Sequence, residues 1–142
     1  MSAAGLAGAL ENLGQKLFFP PSVKGWDGGA AWLNSNTLLL RQNLAQALTS
    51  TEDPRFGRRC DPAALALKHG LRQASDEQLV AFFVDLFLQG DLPSEARARL
   101  LEYRSQSAKQ TYPVYWSAQD VSDHRVRTLC YLVLTQPEMQ LD

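Results

Sequence analysis

Few residues of this 142-residue chain have the types and the spacing that a metal site requires. The two histidines, His69 and His124, stand far apart, and neither belongs to a pattern such as H-x-x-x-H or E-x-x-H. His69 directly precedes Gly70 at a predicted helix end, where a cationic side chain stabilises the exposed carbonyl groups. We therefore predict no metal site and no cofactor.

Motifs for nucleophilic catalysis and for phosphate binding are also missing. No serine stands in a G-x-S-x-G sequence, and most serines fall at predicted helix caps or in loops. The glycine-rich stretch at residues 25–29 lacks the G-x-x-x-x-G-K-S/T spacing of a phosphate-binding loop and does not follow a strand. We predict no catalytic residue, and we favour a non-enzymatic protein.

The stretch that could bind a ligand is the loop at residues 18–34. It contains two prolines, three glycines and two tryptophans, so we predict an ordered irregular loop with large apolar anchors. Trp26 and Trp32 could present flat faces to a sugar ring or to a proline of a partner protein. Asp27 and Asn34 would supply polar contacts. We favour the alternative that both indoles pack beneath the loop, because tryptophan is mostly buried in folded proteins.

Lys24 and Asp27 of the same loop could form an acid–base pair. We favour a solvated ion pair or a bridge within the loop, because ion pairs at protein surfaces are common and weak. The candidate surface for a ligand or a partner protein therefore comprises Lys24, Trp26, Asp27, Trp32 and Asn34.

The composition is that of an ordinary globular protein. Hydrophobic residues make up 45% of the chain and charged residues 20%, and the formal net charge is −1. This balance provides no general attraction to nucleic acid or to an anionic membrane. No stretch approaches the roughly 20 apolar residues of a membrane-spanning helix, and the N-terminus does not resemble a signal peptide. We predict no nucleic-acid partner and no membrane span.

Helical periodicity and capping residues predict an all-α fold, an irregular bundle of about five or six helices. Helices are expected at residues 3–13, at 37–48 after a cap at Asn34, Ser35 or Asn36, from Asp61 to Gly70, from Ser75 to about Gln89, from Asp91 onwards, and from Ser117 to Pro137. The helix after Ser75 is apolar on nearly all sides, so we predict that it forms the core.

The same periodicity predicts which side chains are buried. In the helix after Asp91, Leu100 and Tyr103 form the predicted inner face, and Arg104 belongs to the exposed charged face. Leu65 and Leu67 are expected to be buried in the short helix before Gly70. Cys130 lies in an apolar helical run and is interpreted as a buried free thiol, although a disulfide with Cys60 stays an open alternative.

The loop and the end of the chain resemble a known family. Residues Leu17–Leu38 read L-F-F-P-P-S-V-K-G-W-D-G-G-A-A-W-L-N-S-N-T-L, and residues Val126–Gln140 read V-R-T-L-C-Y-L-V-L-T-Q-P-E-M-Q. Both are similar to segments of the DUF1800 family, a bacterial group described as a domain of unknown function. Its members carry L-F-x-P-P-x-V-K-G-W-x-G-G-x-x-W-I/L-N and, near the end, V-R-x-L-x-x-L-V/I-L-x-x-P-E-F/M-Q.

The resemblance implies a mostly helical fold and offers no catalytic residues to carry over. Full members are several times longer, have an N-terminal helical portion, and often start with an export signal. We therefore expect the chain to be a single helical domain or the C-terminal portion of a larger one. The implied location of full-length relatives is exported or periplasmic.

The function we predict is a non-enzymatic interaction or scaffold module of an exported or cell-envelope protein. The expected partner is a protein: the N-terminal helical region, a second copy of the chain, or an envelope protein. One alternative is a carbohydrate- or polymer-binding module that uses Trp26 and Trp32. Another is the accessory part of an enzyme whose catalytic groups lie in an N-terminal region.

Overall fold

The computed structural model of the chain describes residues 3–16, 18–25, 34–56 and 60–141. Within these ranges the chain forms seven helices and no strand, which confirms the predicted all-α class. The helices are α1 (Ala3–Asn12), α2 (Ser35–Thr49), α3 (Pro62–Lys68), α4 (Asp76–Leu88), α5 (Ser94–Ala108), α6 (Ala118–Leu134) and α7 (Pro137–Leu141). The short helix α7 was not expected, and it begins at a proline, which suits the first position of a helix.

The chain divides into two compact units. The first unit contains α1, α2 and α7, and the second contains α3 to α6 within Asp61–Leu134. That the chain is one helical domain, or the C-terminal portion of a larger one, stays a prediction.

In the first unit, local capping contacts determine where the helices begin and end. Asn34 is the N-cap of α2: its side-chain oxygen accepts a hydrogen bond from the Thr37 N–H at 2.9 Å. The Thr37 hydroxyl in turn accepts from the Asn34 N–H at 3.1 Å, which completes a capping box. Helix α1 is followed by Gly14 with a φ of +83°, the left-handed conformation in which helices commonly end.

In the second unit, α4 forms the core as predicted. The Ser75 hydroxyl accepts from the Gln78 N–H at 3.3 Å, and the Gln78 side chain accepts from the Ser75 N–H at 2.8 Å. The buried face of α4 packs against α5 and α6 and consists of Leu79, Val80, Phe83, Val84 and Leu88. Phe83 and Val84 have no exposed surface, and burial of such a side chain contributes about 1.5–3 kcal/mol.

Two predictions about exposure are wrong. Arg104 lies in the interior instead of on the charged face of α5, because its guanidinium pairs with Asp76 on α4. Leu67 is 44% exposed and Leu65 is only half-buried, whereas Ala66 is buried. Helix α3 has seven residues and therefore about two turns, so it can turn only a narrow stripe toward α6.

The two cysteines do not form a disulfide. Cys60 is half-buried, and Cys130 is buried in α6 as predicted. Burial raises the pKa of the Cys130 thiol to about 12, because the charged thiolate would lose its solvation. Cys130 is therefore an inert core residue.

Candidate functional site

The structure describes two of the five residues proposed for ligand or partner binding, Lys24 and Asn34, and both are exposed. Trp26, Asp27 and Trp32 lie outside the described residues. The packing of the two indoles and the pairing of Lys24 with Asp27 therefore stay predictions. The side-chain oxygen of Asn34 is already engaged as the cap of α2.

Hydrogen bonds within the loop hold residues 22–25 in a tight turn. The Gly25 N–H donates to the Ser22 carbonyl oxygen at 3.0 Å, and the Lys24 N–H donates to the Ser22 hydroxyl at 3.2 Å. Gly25 has a φ of +90°, a conformation that residues with a Cβ rarely adopt. The turn therefore requires a glycine at this position and carries Val23 and Lys24 at its tip.

Three apolar side chains of the same loop face solvent. Phe18, Phe19 and Val23 have relative exposures of 83%, 68% and 106%. We call these three side chains the loop patch. The sequence pattern pointed to the tryptophans instead, because their flat faces suit a sugar ring or a proline, and large aromatic residues such as Phe18 and Phe19 are normally expected to pack inward.

The backbone at Phe18 is strained. The Phe19 N–H donates to the Lys16 carbonyl oxygen at 3.0 Å, so Phe18 occupies the third position of a four-residue turn. A φ of +66° at this position is one that type II turns assign to glycine or asparagine. A bulky residue with this φ is an outlier that costs on the order of 1–3 kcal/mol. The chain thus holds an exposed phenylalanine in a conformation that glycine adopts without strain.

An open groove lies between α1 and α2 in the same unit. It has a volume of about 630 Å³. Small residues of α1 form one wall and leucines of α2 the other; the lining includes Gly5, Gly8, Ala9, Leu40, Leu44, Ala47 and Phe56. We call this feature the α1–α2 groove. A wall of glycine and alanine allows the backbone of another helix to approach closely, as small residues do at helix–helix contacts.

An ion pair lies at the edge of the α1–α2 groove. Arg55, which lines the groove, places its Nη2 atom 2.8 Å from Asp53 Oδ2. The Arg55 side chain and the Arg55 and Phe56 N–H groups all donate to the Asp53 carboxylate and lower the pKa of Asp53 to about 2. The pair fixes the segment that follows α2.

A partly buried ionic cluster joins three helices of the second unit. Arg104 of α5 is 4% exposed, and its Nε and Nη2 atoms contact Asp76 Oδ1 at 2.9 and 2.6 Å. Arg125 of α6 donates to the Arg104 carbonyl oxygen at 3.0 Å and to the Ser107 hydroxyl at 3.1 Å. The Arg125 guanidinium lies 3.8 Å from Asp76 Oδ2. Arginine side chains thus lie beside both carboxylate oxygens of Asp76. The cluster cross-links α4, α5 and α6, and we assign it a structural role.

Both histidines contact aromatic rings. The His69 ring lies 5.2 Å from that of Phe82, and the His124 ring lies 5.1 Å from that of Trp116 and 5.9 Å from that of Tyr112. Within the described ranges, no group of three or more histidine, cysteine, aspartate or glutamate residues is placed to hold a metal ion.

The described residues define an all-α protein with exposed apolar side chains in the loop that follows its first helix. The family model described as "Protein of unknown function (DUF1800)" matches residues 2–141. The chain therefore belongs to this family, which confirms the resemblance seen in the loop and in the last helices. No curated protein and no solved structure matches the chain. Across the described helices, none has the length and apolar character needed to cross a membrane.

Proposed function

We propose that the chain is a non-enzymatic interaction module of an exported or cell-envelope protein and that its first unit binds a helical protein segment. The binding surface consists of the loop patch and the α1–α2 groove. The observation that carries the proposal is the loop patch: three large apolar side chains exposed within six residues. The partner is the N-terminal helical region that longer relatives carry.

The exposure of the loop patch supports a protein partner. Single apolar side chains on a surface are ordinary, whereas adjacent ones indicate an interaction site. Phe18 and Phe19 are neighbours, and Val23 stands at the tip of the turn that follows them. Aromatic side chains that become fully buried at an interface contribute much of its binding energy.

The strain at Phe18 supports the same conclusion. A conformation that lowers stability persists where the surrounding structure requires it, and such conformations are concentrated at binding sites. Phe18 is held in this conformation by the turn and yet is 83% exposed, so its ring gains little from packing within the chain. A contact with a partner would restore the stability that the strain removes.

The α1–α2 groove supports a helical partner. Amphipathic helices bind in apolar grooves through residues spaced by three or four positions. The groove offers apolar side chains from α2 and a wall of small residues from α1, with Glu11 and Arg55 as charged groups in its lining. A helix with an apolar stripe and charged flanks fits this arrangement.

Affinity measurements on loop variants test the proposal. The N-terminal helical region of a longer relative is titrated into the chain and followed by calorimetry. Because about 1.4 kcal/mol corresponds to a tenfold change in Kd, replacement of both rings by Phe18→Ser and Phe19→Ser is expected to weaken binding at least ~10-fold. The matched control, Leu67→Ser in the second unit, removes an exposed leucine and should leave Kd unchanged.

Three results of this titration would oppose the proposal. The first is a Kd of the Phe18→Ser/Phe19→Ser variant equal to that of the unmodified chain. The second is a Leu67→Ser control that weakens binding as much as the loop variant does. The third is no binding by the unmodified chain. The carbohydrate-binding alternative depends on Trp26 and Trp32 and stays a prediction; accessible indoles would be quenched by acrylamide and protected by a glycan. The role as an accessory part of an enzyme also stays a prediction.

A further inference from the structure

Lys16 connects the two parts of the binding surface proposed for the first unit. Its Nζ atom lies 2.9 Å from Glu11 Oε1 on α1, and it lies over the Phe19 ring at 5.4 Å from the ring centre. Glu11 belongs to the lining of the α1–α2 groove, and Phe19 belongs to the loop patch. We call these three side chains the Lys16 bridge. One lysine thus contacts the groove lining and the loop patch at the same time.

The backbone brings the members of the Lys16 bridge together. Helix α1 ends at Asn12, and the Gly14 N–H donates to the Glu11 carbonyl oxygen at 3.0 Å. The Phe19 N–H then donates to the Lys16 carbonyl oxygen at 3.0 Å. Lys16 therefore contacts Phe19 in two ways: its carbonyl oxygen binds the Phe19 backbone, and its ammonium group attracts the Phe19 ring.

The contact with Lys16 leaves the Phe19 ring available to a partner. The ring residue is 68% exposed, so most of its surface stays free. The ion pair is also exposed, with relative side-chain exposures of 55% for Lys16 and 53% for Glu11. An exposed ion pair and an exposed cation–π contact are each weak. Such contacts favour one orientation of the ring and contribute little to the stability of the fold.

We propose that Lys16 is a positioning residue of the binding surface. It holds the Phe19 ring at the end of α1 before a partner binds, so that the loop patch and the α1–α2 groove act as one surface. This inference rests on the function proposed above and adds a residue that acts through Phe19. A side chain that is ordered in advance loses less conformational entropy on binding, so loss of the ammonium group should raise Kd about 3-fold.

A double-mutant cycle on partner affinity tests this role with the full chain. Lys16→Met removes the ammonium group and keeps a long side chain, so the Kd for the N-terminal helical region of a longer relative should rise about 3-fold. In a Phe19→Ser background the same substitution should change Kd by less than ~1.5-fold, because the ring through which Lys16 acts is absent. A direct contact between Lys16 and the partner would instead give equal losses in both backgrounds.

Two further variants complete the cycle. Lys16→Arg keeps a cation that can pair with Glu11 and stack on the Phe19 ring, so it should bind like the unmodified chain. Lys68→Met is the matched control, because Lys68 is an exposed lysine of the second unit, and it should leave Kd unchanged.

Proton NMR of the chain alone tests the positioning of Phe19 without a partner. Protons above the face of an aromatic ring are shifted upfield by its π electrons, so the ε-methylene protons of Lys16 should lie upfield of those of Lys68. The shift should be lost in Phe19→Ser. It should be reduced in Glu11→Gln, which removes the charge that pairs with the Lys16 ammonium group. The Lys68 resonances should be the same in all three proteins.

Several results would overturn the inference. They are Lys16 protons that do not move when Phe19 is replaced, a Kd that Lys16→Met leaves unchanged, and equal losses in both backgrounds. A Lys16→Arg variant as weak as Lys16→Met, or a Lys68→Met control with the same loss, would also overturn it.

Failure of this inference and failure of the proposed function can be told apart. If the N-terminal helical region does not bind the unmodified chain, the proposed function is wrong, and the NMR shift alone supports or overturns the positioning of Phe19. If the region binds and Phe18→Ser/Phe19→Ser weakens binding while Lys16→Met does not, the proposed function stands and the role of Lys16 is wrong.

Discussion

Phe18 combines two properties that are unfavourable in an isolated chain: a φ of +66° and 83% exposure. Glycine adopts this conformation without steric cost, and phenylalanine does not. Beside it, Lys16 Nζ lies 5.4 Å from the centre of the Phe19 ring and 2.9 Å from Glu11 Oε1. Our proposal that Phe18 contacts a partner accounts for this combination.

Replacement of Phe18 by glycine separates stability from binding. Phe18→Gly relieves the left-handed strain, so the free energy of unfolding should stay equal or rise by up to ~1 kcal/mol, since the added freedom of the unfolded chain offsets part of the gain. Denaturant unfolding of the two proteins measures this difference. Phe19→Gly is the control, because Phe19 has no positive φ, and it should give no increase. A clear loss of stability in Phe18→Gly would mean that the ring supports the fold.

Asp53 should make stability depend on pH in the acid range. Its pKa is lowered from 3.8 to about 2, chiefly by the hydrogen bonds from the Arg55 side chain. A carboxyl with a lower pKa in the folded state stabilises the fold above pH 3.8, and that contribution is lost as the pH falls toward about 2.

Asp53→Asn should therefore be less stable than the unmodified chain at pH 7, and the difference should vanish by about pH 2. Thermal unfolding across this pH range measures it. Glu52→Gln removes the same charge from a carboxylate that forms no ion pair within the described ranges and should show a smaller pH-dependent difference. An Asp53→Asn difference that persists unchanged at pH 2 would contradict the assignment.

At the scale of elements, capping residues explain most of what the sequence predicts correctly. Asn34, Ser75 and Ser117 each contact the backbone three residues later, so their effect can be inferred from a short stretch of sequence. The burial of Arg104 could not be predicted in this way, because Asp76 lies 28 residues earlier and only the packing of α4 against α5 brings them together. Helical periodicity alone places an arginine at that position on the surface.

The ionic cluster of Asp76, Arg104 and Arg125 gives a prediction about helix packing. Asp76→Asn removes the charge that balances the buried Arg104, so the variant should lose ~1–3 kcal/mol of unfolding free energy, as expected when a buried charged donor loses its partner. Asp123→Asn is the matched control: Asp123 pairs with Arg127 on the same helix at 2.7 Å, and such i, i+4 pairs contribute about 0.5 kcal/mol. Urea unfolding compares the two. Similar losses would show that the cluster does not hold the three helices together.

At the scale of the whole molecule, the sequence predicts the all-α class, the core helix and the family, because each depends on long or repeated patterns. It does not predict the exposed surfaces. The exposed side chains include Phe18, Phe19, Val114 and Tyr115, which are of residue types that usually pack inward. Their exposure depends on where the neighbouring helices lie, so it can be seen only in the folded structure. Of the five residues first proposed for binding, Lys24 and Asn34 are exposed, and the proposed roles of Trp26, Asp27 and Trp32 stay predictions.

Hydrogen exchange tests the central claim most directly. Exchange of the backbone amides at residues 18–25 is followed by mass spectrometry in the chain alone and in complex with the N-terminal helical region of a longer relative. We expect exchange in this segment and in α1 to slow at least ~10-fold in the complex, because the loop patch and the groove become buried. Unchanged exchange at residues 18–25, with protection confined to the second unit, would contradict the account.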